Sequence, residues 1–248
     1  MNARTFAATL ALCATALPAG ALDLSAMNDS EKAAFGVAVR EYLMQNPEVL
    51  VEAINVLDQR QQAAAAQNDQ AVIAANRAAL FDDPDDWVGG NPDGDITIVE
   101  FMDYKCGYCR KAYPDVAKLL KSDGNIRFVV KEFPILGPQS ELGARFAVAV
   151  KQIAGDAAYD KVHDALMTAR GDLTPESLKR IALEQKLDAA AVMQRMDSEE
   201  VTAVLRKNME LAQKMAVNGT PAFVIGGDML RGYAPYETMR QMVEEQRG

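Results

Sequence analysis

Ile96-Thr97-Ile98-Val99-Glu100-Phe101-Met102-Asp103-Tyr104-Lys105-Cys106-Gly107-Tyr108-Cys109 is the stretch that decides the fold. Ile96 to Phe101 is β-branched or aromatic except at Glu100 and reads as a strand. Cys106 opens a helix that runs to about Lys121. Asp123-Gly124-Asn125 turns the chain, and Ile126 to Lys131 reads as a second strand. A strand, a crossover helix and a strand make a βαβ unit with parallel strands and a right-handed crossover. The two cysteines therefore sit where a strand hands over to a helix, two residues apart. A dithiol at this spacing closes into a small disulfide ring and opens again, so it exchanges electrons with other thiols. A purely structural disulfide is the competing reading. It is weak, because closing so short a loop constrains the unfolded chain little.

Position assigns the two sulfurs different work. Cys106 faces the unpaired backbone N–H groups and the positive end of the helix dipole, which favour thiolate. Cys109 lies a turn deeper. Cys106 is thus expected to attack and form a mixed disulfide, and Cys109 to resolve it. Glu100 points inward if its strand alternates. A buried carboxylate holds its proton more tightly than a solvated one and can relay a proton to or from Cys109. Lys131, on the neighbouring strand, is its expected partner.

The rest of the chain sets the context. It has 248 residues with 26 Lys+Arg and 35 Asp+Glu, a net charge of −9. No basic stripe points to nucleic acid. Residues 1–21 read as a secretory signal peptide: Arg4, then Phe6 to Leu17 as a short apolar core, then Ala19-Gly20-Ala21 as a small-residue cleavage site. An uncleaved anchor or a lipoprotein is the alternative. Cleavage would remove Cys13, the third of the three cysteines, and export would put the remaining pair in an oxidising compartment, most simply a bacterial periplasm.

Residues 22–80 read as helical, with Phe35, Val39 and Leu43, then Leu50, Ile54 and Leu57, as apolar stripes. Asn46-Pro47-Glu48 starts a helix that nothing breaks before about Leu80. Two explanations compete for it. It packs along the globular domain, or residues 30–60 self-associate and the Ala/Gln segment acts as a spacer. The second is preferred, which makes the chain a homo-oligomer. Residues 81–95 are a breaker-rich linker. Residues 138–215 are wholly helical, in four or five helices. Ala222 to Ile225 returns as a strand, Gly226-Gly227-Asp228 turns it, Met229 to Arg231 pairs with it, and a helix closes the chain. The fold class is α/β: a thioredoxin fold, residues 96–137 and 216–248, with an all-helical insertion between its βαβ and ββα halves.

The chain resembles the Dsb family of exported thiol–disulfide oxidoreductases over about residues 82–248. The cysteine stretch, Gly219-Thr220-Pro221-Ala222-Phe223 and Glu100 carry the resemblance, and the N-terminal helices resemble those of the ScsC-type branch. The resemblance implies that Pro221 is a cis-proline beside the cysteines and that the Thr220 backbone pairs with an extended client strand. It implies that Gly107-Tyr108 tunes the redox poise. The strongest oxidants of the family carry a histidine between the cysteines; its isomerases carry Gly-Tyr and tend to carry Thr before the proline. The expected potential lies between ~−270 mV for thioredoxin and ~−120 mV for DsbA, and the expected function is disulfide isomerase or reductase. A dithiol oxidase is the alternative, and a chaperone or copper-binding module a further one. Partners would be cysteine-containing exported clients and a membrane redox protein that resets the dithiol. The resemblance favours a trimer over a dimer. No cofactor and no metal site are called for: zinc would need more ligands than the chain offers, and Met193, Met196, Met209 and Met215 read as core filler. His163, among charged residues, reads as a surface histidine without a role.

Overall fold

A computed structural model describes residues 27–248. The expected signal peptide and Cys13 lie outside the described residues. The chain divides into two compact units at Gln59/Arg60.

In the first unit α1 (Asp29–Gln45) begins at Asn28, whose side chain accepts from the Glu31 N–H at 3.0 Å while its own N–H donates to the Glu31 carboxylate at 2.8 Å. This reciprocal capping satisfies two otherwise orphaned donors. No residue of α1 is buried. Phe35, Val39, Tyr42, Leu50, Ile54 and Leu57 are all exposed among the described residues.

α2 (Glu48–Ala75) continues across the division. The unbroken helix expected to Leu80 ends at Asn76, whose side-chain amide donates back to the Val72 carbonyl at 2.8 Å; α3 (Arg77–Phe81) follows. Asn competes for backbone partners in this way, which is why it interrupts helices. The end of α2 and α3 are not a free spacer. Ile73, Leu80 and Phe81 are buried, and Asp69 takes both guanidinium arms of Arg231 at 2.7 and 2.8 Å.

The expected linker contains a strand. β1 (Trp87–Gly90) pairs antiparallel with β3 (Ile126–Glu132), Trp87 opposite Val130. Gly90 closes it at φ +66°, where a Cβ would lie 2.4 Å from the Ile126 carbonyl oxygen; glycine is the residue that tolerates both. β2 (Ile96–Met102) runs parallel to β3 and antiparallel to β4 (Ala222–Ile225), and β5 (Asp228–Arg231) closes the sheet in the order β1-β3-β2-β4-β5. α4 (Gly107–Asp123) joins β2 to β3. The insertion is five helices: α5 (Pro138–Ala154), α6 (Asp156–Thr168), α7 (Pro175–Glu184), α8 (Ala189–Met196) and α9 (Glu199–Lys214). α10 (Tyr236–Arg247) ends the chain.

Alternation sorts the sheet onto two cores. Ile98, Met102, Phe128, Val130 and Phe223 face α4 and the insertion. Val99, Phe101, Val129 and Val224 face the other way, onto Ile73, Leu80 and Leu211.

Candidate active site

β2 delivers the cysteines through Asp103-Tyr104-Lys105, and buried Asp103 fixes the turn. Its Oδ1 accepts from the Lys105 N–H at 2.8 Å, and its Oδ2 from the Ile135 and Leu136 N–H groups at 2.9 and 3.1 Å. The Asp103 carbonyl accepts from the Cys106 N–H at 3.0 Å. Arg110 secures the turn from α4, donating to the Tyr104 carbonyl at 2.8 Å and to the carbonyls of Ala169 and Leu166.

Cys106 is the N-cap residue of α4, and its Sγ accepts from the Cys109 N–H at 3.4 Å. The same sulfur donates to the Thr220 carbonyl at 3.1 Å. The Thr220–Pro221 bond is cis, and the Pro221 carbonyl accepts from the Gly232 N–H at 2.9 Å. Cys106, Cys109, Thr220 and Pro221 thus come together, with both cysteines free thiols. Cys106 keeps 6% of its surface and Cys109 none. Burial, then the Glu100 charge, pushes the Cys109 thiol well above its usual range. The residues between the cysteines face outward: Tyr108 is 63% exposed, and a Cβ on Gly107 would meet no heavy atom within 4 Å.

Glu100 is buried between Val130 and Phe223 in register, on the α4 face of the sheet. Its Oε1 has no partner among the described residues. Burial first, then the charges of Cys106 and Glu132, raises its pKa to about 8. The expected Glu100–Lys131 contact is absent. Lys131 sits opposite Phe101, one residue on from the Glu100 rung, and so projects to the other face. There its fully buried ammonium pairs with Asp86 and donates to the Ala79 carbonyl at 2.5 Å. Burial outweighs Lys131 and raises the Asp86 pKa to about 7.

His163 is not a surface residue. It is buried, stacked on Trp87 and Tyr159 at centroid distances of 5.9 and 5.7 Å, and burial lowers its pKa to about 4. Its Nδ1 lies 3.0 Å from the Tyr104 hydroxyl. Tyr104 and Tyr159 both donate to Glu132 Oε1, at 2.7 and 2.6 Å. A hollow of about 640 Å³ reaches this cluster and Glu100 between α4, α6 and β1.

Sheet order, N-cap cysteine and facing cis-proline define a thioredoxin-fold dithiol protein. Residues 97–244 match the DSBA-like thioredoxin domain and residues 31–64 the N-terminal domain of the copper resistance protein ScsC; the chain belongs to the DSBA-like thioredoxin family. It is similar to a thioredoxin-like oxidoreductase from Silicibacter pomeroyi DSS-3, with 41% identity over 69% of this chain and 98% of that one and a TM-score of 0.66. BcfH of Salmonella enterica Typhimurium is 32% identical over 88% of this chain and 97% of that one, at a TM-score of 0.72. A curated relative, Na(+)/H(+) antiporter NhaA 3 of Salinispora tropica, is 30% identical over 62% of this chain but only 23% of its own length. The chain thus spans about a quarter of that antiporter.

Proposed function

We propose that the chain is an exported thiol–disulfide oxidoreductase of the periplasm that works mainly as a disulfide isomerase or reductase on cysteine-containing clients. The observation that carries this is Cys106 Sγ, capped by the Cys109 N–H and held against the Thr220 carbonyl. The Cys106 sulfur attacks a client disulfide, forming a mixed disulfide and expelling one client sulfur as thiolate. In isomerisation a second client thiol then attacks the mixed disulfide, and the dithiol returns with no net electron transfer. In reduction the ionised form of Glu100 takes the Cys109 proton, and the Cys109 sulfur attacks Cys106. The Cys106–Cys109 bond forms, the client sulfur leaves, and two electrons have passed to the client.

Gly107-Tyr108 and Thr220 favour the shuffling direction. The exposed apolar stripe of residues 35–57 supports self-association, taken here as a trimer that presents several Cys106 sites to one client. A membrane redox protein would keep the pair reduced. Refolding of a scrambled-disulfide substrate by the full chain tests the reading. Recovery that depends on Cys106 is expected. Activity only on a reduced substrate would indicate an oxidase, and activity that survives Cys106→Ala would remove thiol chemistry altogether.

A further inference from the structure

Two buried carboxylates, not one, lie on the thiol face of the sheet. Glu100 on β2 stands opposite Val130, and Glu132 on β3 stands opposite Met102. They share parity with Ile98 and Phe128, so both point towards α4. As diagonal neighbours on adjacent strands their side chains start roughly 7 Å apart. Each has a buried oxygen without a partner: Oε1 of Glu100 and Oε2 of Glu132. Two like charges at that separation in a dry core disfavour each other strongly, so the pair retains a proton. The hydrogen bonds decide where it resides. Burial raises the Glu132 pKa to about 8 as well, but its Oε1 accepts two tyrosine hydroxyls, which offset part of that rise and favour its charged form. Glu100 accepts none.

The neighbouring groups reinforce the division. Tyr104 has one hydroxyl hydrogen and gives it to Glu132, so His163 must carry its ring proton on Nδ1 and donate to the Tyr104 oxygen. A neutral His163 fits that tautomer. The remaining titratable neighbours are anionic or neutral: Asp103 at the turn acts on Glu132, Asp86 acts on Tyr159, and Cys106 and Cys109 on α4 face Glu100. Among the described residues no cation pairs with either carboxylate. Tyr104 is itself two residues from Cys106, and Gly143 lets α5 approach its ring, since a Cβ there would lie 3.1 Å from it.

We propose that Glu132 is a positioning residue of the thiol site: the negative charge that Tyr104 and Tyr159 fix on it keeps the proton on Glu100. Glu132 touches neither sulfur and acts only through Glu100. The inference rests on the proton-relay reading of Glu100 for its functional meaning but not for its physical content.

The test is carboxyl titration by NMR of the reduced full chain carrying 13C at the glutamate side-chain carboxyl carbon. The two signals are assigned by their loss in Glu100→Gln and Glu132→Gln. Glu132 is expected to ionise at a lower pH than Glu100. Glu132→Gln should lower the Glu100 midpoint by half a pH unit or more, at least threefold in proton affinity. Tyr159→Phe, which removes one hydroxyl and leaves the stacked ring, should lower it in the same direction, and keeps the test alive should Glu132→Gln not fold. An unchanged Glu100 midpoint in the folded variants overturns the proposal, as does a protonated Glu132 beside an ionised Glu100. The rate of mixed-disulfide resolution separates the two readings. If Glu100→Gln leaves that rate unchanged, the relay role falls while the coupling seen by NMR stands. If the relay holds, Glu132→Gln should move the pH profile of resolution by the same amount as the midpoint.

Discussion

Glu100→Gln should make the protein more stable and less competent, and the gain can be worked from the site. Glu100 is buried, has an unpartnered oxygen, and titrates near 8 rather than at its ordinary 4.5. The folded-state pKa is raised, so the favourable contribution of the protonated form is fully present below 4.5 and is lost as pH rises through about 8. At pH 7 the unfolded chain gains the free energy of ionising this side chain while the folded chain gains almost none. At ~1.4 kcal/mol per pH unit, the interval from 4.5 to 7 costs the folded state about 3 kcal/mol. Gln has nearly the shape of the protonated acid and does not ionise, so the variant escapes this cost at pH 7 and has no advantage at pH 4. For a unit of this size, ~3 kcal/mol raises Tm by roughly 6–12 °C. Urea titrations of reduced wild type and variant at pH 4 and pH 7 measure the difference. An equal difference at the two pH values, or destabilisation at pH 7, would refute the reasoning. In the same variant the lifetime of a mixed disulfide with a labelled peptide should lengthen by ~100-fold, within the range for loss of a proton-transfer group, while the first attack by Cys106 is unchanged.

Lys131→Met breaks a buried ion pair and orphans the Ala79 carbonyl, so it should destabilise by ~3–5 kcal/mol at pH 8. The loss should be smaller at pH 5, where Asp86, already raised to about 7, is protonated. The reduction potential should not change, because Lys131 faces away from the cysteines; a shift in the glutathione equilibrium would restore the residue to the thiol site. Tyr108→His places a cation beside Cys106 at an exposed position, and should raise the potential by ~30 mV or more, with a larger effect at pH 6 than at pH 8. Deleting residues 22–59 should yield a monomer by light scattering that keeps its thermal stability and loses isomerisation. Deleting residues 22–80 removes Ile73, Leu80 and the Asp69 clasp on Arg231, and should lower Tm as well.

What could be read from the chain and what could not divides along one physical line. The dithiol, the helix it caps, the proline before the late strand and the inward Glu100 are all local. Each depends on a few neighbouring residues and on the two-residue period of a strand. Lys131 failed because its face depends on register. With Phe101 rather than Glu100 opposite it, a single step along the strand moves it to the other core, and no local pattern encodes that step. β1 failed because four residues between breakers carry too little periodicity to stand out; only pairing with β3 makes them a strand. His163 failed because its burial depends on Trp87 from β1 and Tyr104 from the β2–α4 turn, with only Tyr159 on its own helix.

Glu132 is a different case, because its signal was present. Ile126 to Glu132 alternates in the same way as Ile96 to Met102, and Glu132 shares the inward parity of Phe128 and Val130, just as Glu100 shares that of Ile98. The alternation that places one carboxylate in the core places both there. Two acids in one dry layer cannot both be charged at ordinary cost, so the paired strands already implied a retained proton near the cysteines. Only the tyrosine hydroxyls, brought in from the β2–α4 turn and from α6, determine which carboxylate keeps it.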